Sequence, residues 1–213
     1  MSLTSFFKKA TYIITFTEIF MNTNLQTVGN SSYNKEYAIS FFKNARTIYI
    51  CDYGNIQILN DVGITDNIIY QPPVVYDCDL NKNLSIVKDI DLLFYGSAGA
   101  KTFTFRKTLL GELDLISKKN NYIYKCYDNS LYDNKWEVIL RTKIVVHVPS
   151  LPNLRTIPWA KITELMCNGV FFIVSEQPGF NFMDLNKYIP FYSYDGTNTN
   201  IEDIIKFYLL NED

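Results

Sequence analysis

Short runs of β-branched and aromatic residues, each strand-length, alternate along this chain with helix-length amphipathic segments, and that alternation admits few architectures. Runs with apolar residues on both faces, separated by 3.6-period segments, are the pattern of βα units around a mostly parallel sheet. The spacing predicts strands at Tyr12–Phe16, Thr47–Cys51, Ile68–Tyr70, Asp91–Tyr95, Tyr122–Cys126, Lys143–His147, Phe171–Ser175 and Phe191–Tyr194. It predicts helices at Tyr37–Asn44, Asn55–Val62, Phe103–Lys118, Trp159–Asn168 and Ile201–Leu209. Asn200 stands at the N-cap of the last, with Glu202 and Asp203 in the first turn, where the helix dipole favours acids.

The alternation breaks between Gln71 and Lys88. Pro72-Pro73 continue neither a central strand nor a helix, and the polar stretch 77–83 follows. Two parts are therefore expected: a small N-terminal α/β part, 1–75, and a larger Rossmann-like βα domain, 85–213. With 213 residues, 47% hydrophobic and 20% charged, the chain can bury a proper core. The N-terminal part holds three strands and two helices, half of a usual doubly wound domain. Such a reduced half leaves apolar surface uncovered, so a homodimer is expected.

Composition removes several functions. The net charge is −2 and no Lys/Arg run exists to neutralise phosphates, so nucleic acid is not the expected partner. The four cysteines (Cys51, Cys78, Cys126, Cys167) form no CxxC pair, and His147 is the single histidine. Neither a zinc site nor a disulfide framework is suggested, and cysteines in apolar stretches read as small buried hydrophobes. The opening residues are broken by Thr and by Glu18, leaving no signal-peptide core and no membrane span. A soluble, cytoplasmic protein is the expectation.

Four constellations carry possible chemistry. In Asp91–Lys101 a buried strand runs into the small-residue loop Gly96-Ser-Ala-Gly99 and on into the segment carrying Arg106 and Lys107. Backbone N–H groups of Gly96, Ser97 and Gly99 could face an anion at a helix N-terminus, with Lys101 or Arg106 adding charge; an ordinary tight turn would read the same way. The loop is neither GxGxxG nor Walker A. In the second, Lys161 and Glu164 are three apart and share a helix face, Leu165 and Met166 would face the core, and Gly169 sits at the C′ position; Glu176 follows the next strand. A cation for a diphosphate and a carboxylate for ribose suit a nucleotide sugar, although a solvated Lys–Glu pair has the same spacing. Third, His147 lies at the carboxyl end of its strand, where open α/β sheets bind ligands; a buried, singly bonded histidine is the alternative. Fourth, Asp77-Cys-Asp79 is a literal DxD, the pattern that holds a divalent cation in transferases of another fold.

Taken together, these segments resemble a GT-B-fold glycosyltransferase-like family related to family 1 and spore-coat-type transferases. The resemblance rests on five ordered stretches: Ala45–Tyr53 with Asn55–Leu59, Gly63-Ile64 with Tyr70–Pro73, Asp91–Ser97, Lys143–His147, and Lys161–Gly169 with Ile173–Glu176. It covers roughly residues 37–195 and implies a two-domain, metal-independent enzyme without cofactor that takes a nucleotide-diphospho-sugar as donor. Carried over by position, Gly96 and Ser97 lie near the diphosphate with Lys101 and Arg106, Lys161 stands where the family has Arg, and Glu164 meets the ribose. Glu176 and His147 line the same cleft, and catalysis is expected at His147 and Glu164.

The chain also departs from the family. Lys161 keeps the charge of Arg but not its bidentate fork. Thr156 and Pro158 stand where relatives often have acids. The N-terminal domain begins late, and the chain stops at Asp213, where relatives often add helices. A glycosyltransferase with an unidentified acceptor is therefore expected, with a catalytically inactive nucleotide-sugar-binding or interaction module as the alternative. A metal-dependent transferase using Asp77 and Asp79 is the third reading.

Overall fold

The structure, a computed structural model, describes residues 13–16, 34–71, 86–97, 104–128, 135–149, 159–176, 187–194 and 199–211. They fall into two units. The N-terminal unit carries β1 (Ile13–Phe16), α1 (Lys35–Lys43), β2 (Thr47–Ile50), α2 (Tyr53–Asp61) and β3 (Ile68–Tyr70). Its three strands form a parallel sheet in the order β1-β2-β3, with Ile48 opposite both Ile14 and Ile68. Alternate residues Ile48 and Ile50 pack on Ala38 and Phe42 of α1 and on Ile58 and Leu59 of α2. Each fully buried Ile or Leu contributes about 1.5–3 kcal/mol. Asn34 starts α1 with its side chain accepting from the amides of Glu36 and Tyr37, and Asp52 does the same for α2 at Asn55.

The C-terminal unit contains β4 (Ile90–Gly96), α3 (Thr104–Asn120), β5 (Tyr124–Asp128), α4 (Lys135–Leu140), β6 (Thr142–His147), β7 (Phe172–Ser175), β8 (Phe191–Tyr192) and α6 (Ile201–Leu210), with α5 (Trp159–Cys167), which belongs to this unit from Lys161 onward, between β6 and β7. Its five strands are parallel in the order β5-β4-β6-β7-β8. The chain steps outward from β4 to β5, returns past β4 to β6, and continues outward through β7 and β8. With right-handed crossovers, that reversal puts α3 on one face and α4 and α5 on the other. Leu92, Phe94, Ile144, Val146 and Ile173 bury against Leu109, Leu113 and Ile116 of α3 and Ile201 and Ile205 of α6. The alternate residues Leu93, Val145 and Val174 are also fully buried and point to the opposite face, where α4 and α5 bury Ile139, Ile162 and Leu165. A sheet covered on both faces explains why its strands read as continuous apolar runs.

Several expectations need correction. The helix α4 falls in a stretch the sequence pattern leaves unassigned. Met166 is half exposed while Leu165 is buried, because only one of two adjacent helical residues can face the sheet. Cys126 is exposed on edge strand β5, and Cys51 and Cys167 are only partly buried. Asn200 occupies the N-cap of α6 without capping it; its side chain accepts from the Ser193 amide, and Thr199 Oγ1 takes the Ile201 amide instead. No described helix is long and apolar enough to cross a membrane.

Candidate functional site

The strand order reverses between β4 and β6, and open α/β sheets bind ligands outside the carboxyl ends of the strands flanking such a reversal. Those ends here are Tyr95-Gly96-Ser97 and His147-Val148. Gly96 holds φ 142°, a conformation open to glycine, and pairs with Asp128 at the last rung of β4–β5. The chain can therefore turn sharply out of the strand.

Charged side chains from three helices converge on these ends. From α3, Arg106 donates through Nη1 to the Ser97 carbonyl at 2.5 Å and through Nε to the Val148 carbonyl at 3.0 Å. Its guanidinium lies 5.8 Å from the Phe94 ring centroid, so one side chain braces both strand ends. From α5, the Lys161 ammonium donates to the Tyr95 carbonyl at 2.5 Å and sits 3.7 Å from the Tyr95 ring centroid. From α4, Lys135 forms an ion pair with Glu164 of α5 and stands 5.6 Å from the Tyr95 ring. Among the described residues, three cations thus meet one carboxylate at the reversal point.

The electrostatics follow from burial and crowding. Lys161 is pushed down to about 7 by desolvation first, then by repulsion from Arg106 and Lys135, against a smaller pull from Glu164. His147, the last residue of β6, is held well below the usual imidazole range by burial, and next by Lys161 and Arg106, so it is neutral. Its carbonyl accepts from the Tyr192 hydroxyl at 2.7 Å, while its Nδ1 is buried without a hydrogen-bond partner among the described residues. The Tyr95 hydroxyl is buried and unpartnered among the described residues in the same way, and burial pushes its pKa up. Unpaired buried polar atoms are costly, and two of those found among the described residues fall in this one strand-end cluster.

Gly96, Ser97, Arg106, His147, Lys161 and Glu164 therefore come together at one end of the sheet. Glu176 follows β7 at the same carboxyl end, exposed, with its amide bonded to the Tyr192 carbonyl at 2.8 Å. Lys101, Gly99, Asp77 and Asp79 lie outside the described residues. The Lys161–Glu164 spacing does not produce an ion pair between the two: Lys161 turns to the β4 carbonyl and Glu164 to Lys135. Sequence reading missed Lys135 and Tyr95. Tyr95 was legible only as a strand residue, and Lys135 belongs to a helix too short to show periodicity. A groove of about 260 Å³ lined by Lys88, Lys143, Phe171 and Tyr208 opens at the amino end of β6 and β7, the end at which such sheets do not bind ligands.

No protein-family model matches the chain, and no curated protein sequence matches it. Among solved structures it is similar to TarM, which has a GT-B-type fold, at TM-score 0.67 and 14% identity. The likeness covers 96% of this chain and 44% of TarM, so the chain spans under half the length of that neighbour. The fold is GT-B-like, with a Rossmann-type parallel sheet in the C-terminal unit.

Proposed function

We propose that the chain is a glycosyltransferase domain that binds a nucleotide-diphospho-sugar at the β4/β6 reversal and passes the sugar to an acceptor, without metal. The observation that carries this reading is the convergence of Arg106, Lys135 and Lys161 on the carboxyl ends of β4 and β6 in a GT-B-like fold. A cluster with more cations than carboxylates suits a diphosphate. In this reading Lys161, with Lys101, meets the diphosphate beside Gly96 and Ser97. Arg106 spends its donors bracing the two strand ends and lends the site its charge. Glu164 faces the ribose, oriented by Lys135, and Glu176 lines the cleft. His147, neutral and with an unused nitrogen, serves with Glu164 in catalysis as the proton-handling group. The ordered motif set supports reading the chain as a relative of the family 1 and spore-coat-type transferases, and we expect a homodimer.

Isothermal titration with UDP, GDP and their sugars tests the reading: binding to at least one is expected, and none at millimolar concentration refutes it. Metal independence predicts that binding and transfer survive EDTA; loss on chelation would point instead to Asp77 and Asp79. A catalytically silent donor-binding module is the second reading, favoured by Thr156 standing where relatives carry a glutamate. Donor hydrolysis or transfer that disappears in Glu164→Ala or His147→Ala excludes it.

A further inference from the structure

We propose that the site takes up its anionic ligand together with one proton, carried by the Lys161 amine, so that ligand and proton bind as a unit. The inference rests on the donor-site reading and deepens it.

The geometry around Lys161 supplies the reason. Its nitrogen has one hydrogen-bond acceptor among the described residues, the Tyr95 carbonyl, and otherwise lies against the Tyr95 and Phe94 rings at 3.7 and 5.5 Å. The carboxylate nearest in charge, Glu164, is taken by Lys135. Among the described residues, the elements around the amine contribute Tyr95 from β4, His147 from β6, Arg106 from α3, Lys135 from α4 and Glu164 from α5. Two of these are cations, and the two neutral ones hold a buried polar atom without a partner among the described residues. Among these groups a charged Lys161 is a third positive charge whose nearest described carboxylate, Glu164, is already paired with Lys135. Desolvation and repulsion accordingly bring it to about 7, where half of it is amine.

A diphosphate reverses both causes, since it is a counterion for Lys161 and offsets Arg106 and Lys135. Whatever raises the affinity of Lys161 for its proton must be favoured by that proton to the same degree. The sign follows. Below pH 7 the amine is already protonated and affinity is flat. Above pH 7 a proton must be drawn from the buffer with each ligand, and affinity falls by up to about tenfold per pH unit.

The experiment is calorimetry of the whole chain with UDP-glucose and GDP-mannose, whose diphosphate diesters carry no proton of their own near neutrality. Each titration is run at pH 6 and pH 8 in buffers of different ionisation enthalpy. Uptake close to one proton at pH 8 and close to none at pH 6 is expected. Lys161→Arg, which cannot deprotonate, should bind at both pH values with no uptake. Binding with equal proton numbers at both pH values overturns the coupling and leaves the donor site standing. Uptake that persists in Lys161→Arg overturns its assignment to this amine. If neither nucleotide sugar binds the wild-type chain at either pH, the donor reading falls and takes the inference with it.

Discussion

Gly169 illustrates how much a single residue reveals about itself. It stands at φ 64°, and α5 closes around it with the Gly169 amide on the Met166 carbonyl at 3.1 Å and the Val170 amide on the Leu165 carbonyl at 3.0 Å. The sequence places this glycine at the C′ position because glycine, and less readily asparagine, takes that conformation at low cost. Gly169→Ala has open space for its methyl group, so only backbone strain counts, and urea unfolding should show a loss of about 1 kcal/mol. Site residues are less legible. His147 could be placed at a strand end by pattern, but its burial depends on β7, α3 and α5. Its depressed protonation means the unfolded chain binds a proton below about pH 6.5 that the folded chain refuses. Stability should therefore fall as pH drops from 6.5, and His147→Gln should flatten that limb in acid titrations followed by circular dichroism. The ion pair of Lys135 with Glu164 links two residues 29 apart in sequence, which no local spacing predicts. Lys135→Met frees the carboxylate, and if Lys135 orients Glu164 for ribose, nucleotide affinity should drop about tenfold by calorimetry. An unchanged affinity would remove Lys135 from the site.

At the scale of elements, long periodic segments declare themselves and short ones do not. The 17 residues of α3 repeat their apolar stripe often enough to be read, with buried Leu109, Leu113 and Ile116 on one face. The six residues of α4 complete under two turns, and their apolar residues fit a strand as readily as a helix. What makes them helical is the sheet beneath: Ile139 is fully buried, and Arg141 pairs with Asp89 beside the start of β4. The missed helix carries the missed cation, so one failure explains the other. Ile139→Ala should cost about 2–5 kcal/mol in urea unfolding. It should also weaken nucleotide binding, since Lys135 would lose its footing; a destabilised variant with wild-type affinity would show that α4 does not serve the site.

For the whole molecule, the donor reading makes a thermodynamic demand. A ligand that binds the folded C-terminal unit and not the unfolded chain stabilises it by about 2.7 kcal/mol at a hundredfold excess over Kd. Thermal unfolding with a saturating nucleotide sugar should therefore shift upward, equally with and without EDTA. Sedimentation tests the dimer, and a species of 24.8 kDa alone at low micromolar concentration would refute it. The α/β class, the parallel sheets and nearly every strand could be read from the sequence alone, because burial on two faces writes itself as continuous apolar runs and helices as 3.6-residue stripes. Strand order could not, since β4 pairs with β6 across some fifty residues of chain and its pattern would pair equally well elsewhere. That order alone decides where the sheet reverses. The reversal decides which strand ends Arg106, Lys135 and Lys161 crowd, and their charges meet only through contacts between residues remote in sequence.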